Sequence, residues 1–196
     1  MENKKYFLHE SSYVDKPTTI GKGTNIWHFS HIMKNCVIGE NCNIGQNVVI
    51  STGVTIGNGV KIQNNVSVYT GVICEDEVFL GPSCVFTNVI NPRSFIERKK
   101  EYRKTFVGKG ASIGANVTVI CGNKIGKYAL IGAGTVVTKN VPDYGLIVGN
   151  PGKIIGYVCQ CGERLHFNEN SNTDCKACGK KYVKINESIV KEDDNG

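Results

Sequence analysis

Apolar residues recur at every sixth position from Ile20: Ile26, Ile32, Ile38, Ile44, Ile50, Ile56, Ile62, Val68, Cys74, Leu80 and Phe86 follow without a miss. Four residues after each lies a second set, Thr24, Ser30, Cys36, Cys42, Val48, Val54, Val60, Val66, Val72, Val78 and Cys84, mostly small or β-branched. Glycine often follows the first set, as at Gly39, Gly45, Gly57 and Gly81, where the missing Cβ permits turn backbone. A period of six fits neither the 3.6 of a helix nor the alternation of a hairpin meander. It is the period of a parallel β-helix, in which each unit is one short strand and a corner, and three units close an 18-residue triangular coil. The beat resumes at Val107, Ile113, Val119, Ile125, Ile131 and Val137, which predicts six coils, about 29 Å tall at a strand spacing of roughly 4.8 Å. The step from Phe86 to Val107 is 21 residues and not a multiple of six. A loop, about residues 92–106, is therefore extruded.

Composition adds limits more than it adds chemistry. The chain has 196 residues, enough for one main domain and a small appendage, with an ordinary 40% of hydrophobic residues. No apolar run approaches the roughly 20 residues of a bilayer span, and the first sixteen residues lack the apolar middle of a secretory signal, so a cytoplasmic setting is expected. A net charge of +6 suits phosphate-bearing ligands and is too small to demand nucleic acid.

Nine cysteines divide into two groups. Cys36, Cys42, Cys74 and Cys84 fall on the two inward sets and read as small buried apolar residues; Cys121 sits off register with no assigned role. Cys159, Cys161, Cys175 and Cys178, in "CQCG" and "CKACG", have the spacing of two thiolate knuckles. A structural Zn²⁺ with four protein ligands is the expected occupant, and two disulfides are the alternative, disfavoured in the cytoplasm. The domain plan is thus a β-helix over residues 1–158, a zinc ribbon over 159–183 and a polar, frayed tail over 184–196. The ribbon also admits a reading as a nucleic-acid or protein-docking scaffold. His166 lies between the knuckles and reads as a surface residue.

The histidines exclude two chemistries. His9, His28, His31 and His166 are all there are, so a metal site of three histidines on neighbouring coils is starved of ligands, and no histidine stands midway along the helix to act as general base. Residues 18 apart stack, so His28, Gln46 and Asn64 form a polar column, either a ligand site or a plain corner ladder. The extruded loop is rich in Arg and Lys, and its Arg93 suits a diphosphate or carboxylate.

The hexapeptide pattern, with "YGLIVGNPGKIIGYV" at its end, resembles the left-handed β-helix of the hexapeptide acyltransferases. The segment "NIWHFSHI", residues 25–32, and the longer stretch from Ile62 to Gly122, which contains "VFTNVINPRS", resemble the N-acetyltransferases that acylate the 3-amino group of UDP-2-acetamido-3-amino-2,3-dideoxy-glucuronate in O-antigen biosynthesis. That resemblance implies left-handed coils, a homotrimer, acetyl-CoA as co-substrate and a nucleotide sugar as acceptor. It implies that Asn88 contacts the sugar amine and favours the column of His28, Gln46 and Asn64, with His31 near it, as the acceptor site, where Arg93 would meet the anion. Ala115 and Ala133 would accompany the pantetheine arm, and Lys139 and Lys153 the CoA phosphates. A dTDP-3-amino-3,6-dideoxyhexose is the alternative acceptor, and a corner residue capping its own turn is the alternative role for Asn88.

Overall fold

The computed structural model describes residues 5–185 and 188–191. Two-residue strands stack in parallel on three faces of a prism. The first face holds Phe7–Leu8, Asn25–Ile26, Asn43–Ile44, Lys61–Ile62, Phe79–Leu80, Ser112–Ile113, Leu130–Ile131 and Gly145–Val148. The second and third faces hold seven and six strands, starting at Tyr13–Val14 and Thr19–Ile20. Pairing runs at the predicted offset of 18, as in Asn25↔Asn43↔Lys61.

Both predicted sets point inward. Ile26 through Phe86 on the first, and Thr24 through Cys84 on the second, are buried in one continuous core; Ile20 is half-buried against it. The polar members of the second set are satisfied by neighbouring coils. Thr24 Oγ1 donates to Gly39 O at 2.8 Å and accepts from Cys42 N–H at 3.0 Å, and Ser30 does the same between Gly45 O and Val48 N–H. Burial drives the Cys36, Cys42 and Cys74 thiols upward in pKa and that of Cys84 to about 12, so these cysteines pack as neutral apolar groups.

Three expectations are corrected. The first face stacks eight parallel strands where six were expected, because Leu8 and Val14 continue the six-residue beat below Ile20, and Gly145–Val148 adds a rung after Leu130–Ile131. The extruded loop spans 87–104, since Thr105–Val107 already pairs with Val72–Cys74. At the C-terminus, Lys181–Ile185 and Ser188–Lys191 form an antiparallel pair beside Asn172–Asp174, where a frayed tail was expected. Residues 186–187 and 192–196 of that tail lie outside the described residues.

The C-terminal segment docks on the end of the prism. Lys153–Val158 turns back antiparallel on Gly145–Val148 and pairs on its other edge with Arg164–Leu165, extending the first face. A second, smaller core forms there from Tyr144, Cys159, Leu165, Cys175, Tyr182 and Ile189, with Tyr128 stacked on Tyr144. This cover protects the open edge of the first face.

Candidate functional site

The sequence-predicted residues separate onto two edges of the prism. The edge between the first and second faces carries His28, Gln46, Asn64, Ala115 and Ala133 in one column, because 25↔43↔61↔79↔112↔130 are paired in turn. Much of that column is structural. Asn64 Oδ1 accepts the Gln46 backbone N–H at 2.9 Å, and Gly134 N–H bonds to Ala115 O at 2.8 Å. At its foot the His28 ring stacks on His9 with centroids 3.5 Å apart. His31 lies on the second face, its Nε2 3.1 Å from Asp15 Oδ2.

Asn88 stands on the edge between the second and third faces, just after Val85–Phe86. The pairing 85↔118↔136 places Cys121 one rung above it and Lys139 two rungs above, roughly 10 Å away at the usual strand spacing. Other corner amides and carboxylates cap a neighbouring coil: Asn58 Oδ1 accepts from Glu40 N–H at 2.8 Å, Asp76 from Asn58 N–H at 2.7 Å and Asn140 from Lys124 N–H at 2.8 Å. The Asn88 side chain makes no such bond with any described residue and is half-buried. Its donor and acceptor are available, as a residue that handles a ligand requires and a turn cap does not.

Above it, Lys139 and Lys153 share one cleft of about 280 Å³, whose walls are Val137–Val141, Ile147 and the turn at Gly152–Ile154. Two ammonium groups over apolar walls suit a phosphate-tipped, largely apolar ligand. Below and outward, the extruded loop folds over a cleft of about 410 Å³ lined by Val89, Pro92, Arg93, Ile96, Arg98 and Tyr102, among others. Arg98 is neutralised there by both Glu101 oxygens at 2.8 Å, and Arg93 Nη1 donates to Pro92 O at 2.9 Å. Arg103, expected with the other loop charges on a solvated face, closes the neck of the loop: its N–H bonds to Asn88 O at 2.9 Å. Subtracting the 15-residue insertion from the column arithmetic would have placed it beside Asn88.

The four C-terminal cysteines converge. All four sulfurs lie within 4.8 Å of one another, with Cys159–Cys178 at 3.4 Å and Cys161–Cys175 at 3.5 Å. These separations are far above a disulfide's roughly 2.05 Å and close to the roughly 3.8 Å edge of a tetrahedron with 2.3 Å Zn–S bonds. Burial acts to raise the Cys159 thiol, but the Cys161 N–H and the Tyr182 hydroxyl, 3.5 and 3.1 Å from its sulfur, outweigh it and bring the group down to about 7. Tyr182 is fully buried and also accepts the Gln160 N–H at 3.1 Å. His166 is exposed and is not part of the sulfur cluster.

Comparison with known proteins follows the same division. The "Bacterial transferase hexapeptide (six repeats)" family matches residues 17–52, and the "Hexapeptide repeat of succinyl-transferase" family matches 35–70 and 104–139, on either side of the extruded loop. A dTDP-3-amino-3,6-dideoxy-alpha-D-galactopyranose 3-N-acetyltransferase of Aneurinibacillus thermoaerophilus is 50% identical over 93 residues, 47% of each chain. The chain covers less than half the length of the curated relatives it matches. In fold it is similar to galactoside acetyltransferase in complex with coenzyme A (TM-score 0.58, 22% identity, 72% of each chain covered). It is similar also to AntD, an N-acyltransferase from Bacillus cereus solved with dTDP and coenzyme A (TM-score 0.57, 22% identity, 74% of this chain and 83% of that one). Among the described residues no helix is long and apolar enough to cross a membrane. The chain carries hexapeptide repeats over residues 17–70 and 104–139, its fold is that of the left-handed β-helix acetyltransferases, and 93 of its residues align at 50% identity with a sugar N-acetyltransferase.

Proposed function

We propose that this protein transfers an acetyl group from acetyl-CoA to the 3-amino group of a nucleotide-linked amino sugar in cell-surface polysaccharide synthesis. The observation that carries this reading is the 50% identity to a dTDP-3-amino sugar N-acetyltransferase, on a chain whose Asn88 is left free of its own turn. UDP-2-acetamido-3-amino-2,3-dideoxy-glucuronate is the acceptor implied by the segments around His28 and Asn88. The named substrate of the Aneurinibacillus relative favours a second acceptor, a dTDP-3-amino-3,6-dideoxyhexose.

The chemistry asks little of the protein beyond placement. A sugar amine flanked by electron-withdrawing oxygens loses its proton more easily than a Lys side chain near 10.4, so a neutral nucleophile is available without a protein base. Asn88 Oδ1 accepts one N–H and aims the lone pair at the thioester carbonyl carbon. The C–N bond forms and the C–S bond breaks, and the departing CoA thiolate takes the proton that the nitrogen sheds. Lys139 and Lys153, in their common cleft, hold the CoA phosphates, and the Ala115–Ala133 edge flanks the pantetheine arm. Those residues lie on different edges of one prism. A homotrimer, with each site between neighbouring prisms, brings the two edges to one ligand.

Cys159, Cys161, Cys175 and Cys178 would hold Zn²⁺ with no open position, which supplies folding energy and no reactive water. In this reading the metal staples the ribbon of residues 159–183, a segment too short to bury its own core. The test is thiol release from acetyl-CoA with a panel of acceptors, UDP- and dTDP-linked, with and without the carboxylate. Release with a 3-amino sugar, and an acetylated product by mass spectrometry, is expected. Release with none of them, together with salt-sensitive retention on DNA, would replace the enzyme with a zinc-ribbon binding scaffold.

A further inference from the structure

We infer that Arg103 is the acceptor's anion clasp: a positioning residue, built into the same corner as Asn88, that takes the carboxylate or diphosphate of the nucleotide sugar. The inference rests on the N-acetyltransferase reading above and deepens it.

The corner is made to hold this side chain. The chain leaves the prism at Asn88 and returns at Arg103, and the two ends are joined by the Arg103 N–H to Asn88 O bond of 2.9 Å. Thr105↔Val72 and Phe106↔Lys124 fix the register of the return, so residues 103–104 pass between Gly71 below and Gly122 above. Both glycines have left-handed backbone, φ +98° and +88°. A Cβ on Gly71 would stand 3.0 Å from Arg103 O, and one on Gly122 would stand 3.2 Å from Arg103 Cδ and 4.0 Å from its Nη1. The stem of Arg103 therefore packs against Gly122, which belongs to the rung above Asn88.

Bonding singles the residue out among the arginines of the loop. Arg98 is spent on Glu101, and Arg93 places Nη1 on Pro92 O. The Arg103 guanidinium is exposed and makes no hydrogen bond or ion pair with any described residue, so its five N–H donors are unspent. A guanidinium fork whose backbone is tied to that of Asn88 matches an acceptor that presents an amine and, a few ångströms away, an oxyanion. A lysine at this place would give a point charge and no bidentate grip.

Two acceptors, one with and one without the sugar carboxylate, are compared with wild type, Arg103→Gln and Arg103→Lys by steady-state kinetics, with calorimetric titration of each acceptor as a readout independent of turnover. The acceptor KM and Kd are expected to rise about 10- to 100-fold in Arg103→Gln, the range for losing a hydrogen bond to a charged group. Arg103→Lys recovers part of the loss, and kcat and the acetyl-CoA KM stay within threefold of wild type. A rise for both acceptors identifies the diphosphate as the anion, and a rise confined to the carboxylate-bearing one identifies the carboxylate. An acceptor Kd within threefold of wild type, or a rise in the acetyl-CoA KM alone, overturns the assignment while the N-acetyltransferase reading stands. If wild type acetylates neither sugar, that reading fails, and the titrations still decide whether Arg103 binds the anion.

Discussion

Gly39→Ala probes how tightly the coils stack. A Cβ at Gly39 would lie 2.5 Å from both the carbonyl carbon and the oxygen of Gly57 and 2.7 Å from Asn58 N, all backbone atoms. That is about 1 Å inside the roughly 3.5 Å at which non-bonded carbons meet comfortably. The methyl can be housed only by parting two rungs, which stretches the Gly39 N–H to Ile56 O bond of 2.8 Å and the Glu40 N–H to Asn58 Oδ1 bond of 2.8 Å. Losing one or two bonds at about 1 kcal/mol each, with about 1 to 2 kcal/mol of overpacking strain, gives a cost of about 3 kcal/mol. Gly134→Ala is the control. Its φ of +72° brings only the left-handed backbone cost of about 1–2 kcal/mol, because nothing lies within 4 Å of the added carbon. Thermal unfolding followed by circular dichroism should show Gly39→Ala lowered by about 6–12 °C and Gly134→Ala by roughly half as much. An equal or larger loss for Gly134→Ala would refute the stacking argument, since conformation and not contact would then set the cost.

Three further outcomes rest on the cysteines and the core. The purified protein should carry about one zinc per chain by elemental analysis, and Cys178→Ser should abolish it; four thiols paired as two disulfides in a metal-free chain would contradict the cluster geometry. Alkali should destabilise the core: the unfolded thiol ionises from about 9 while folded Cys84 stays neutral to about 12, so the unfolded state sheds protons first and stability falls as pH rises through that window, by up to about 1.4 kcal/mol per pH unit per thiol. Cys84→Val should flatten the decline in urea midpoint between pH 9 and 11, and an unchanged slope would show that the thiol does not cause it. Phe86→Ala, which empties the largest apolar side chain of the main core beside the loop, should cost about 3–5 kcal/mol by urea unfolding; a loss below about 1 kcal/mol would mean that the coils collapse onto the space.

The fold was legible because the beat is strict: a residue that misses it would place a polar group in a core one side chain wide. The column of His28, Gln46 and Asn64 was legible for the same reason, since 18 residues return the chain to the same edge. Arg103 was not, because the inserted residues break the phase and loop charges look alike until the partners of Arg98 and Arg93 are seen. The extra rungs at Leu8 and Val14 were visible in principle, lying on the same six-residue count. The strand Gly145–Val148 was not, because Pro142 and Gly145 intervene and the step from Val137 to Ile147 is ten residues. The four cysteines announced a cluster by spacing alone. That Tyr182, Tyr144 and Tyr128 would fasten it to the prism depends on a tertiary approach that no local pattern encodes.

In the proposed mechanism an unassisted amine reacts because a free amide at one corner of the prism holds it in place. Steady-state thiol release by Asn88→Ala, with the preferred acceptor at saturation and the melting temperature measured alongside, tests that claim most directly. A fall in kcat of about 100-fold with an unchanged melting temperature is the expected result. A fall below about threefold would contradict it.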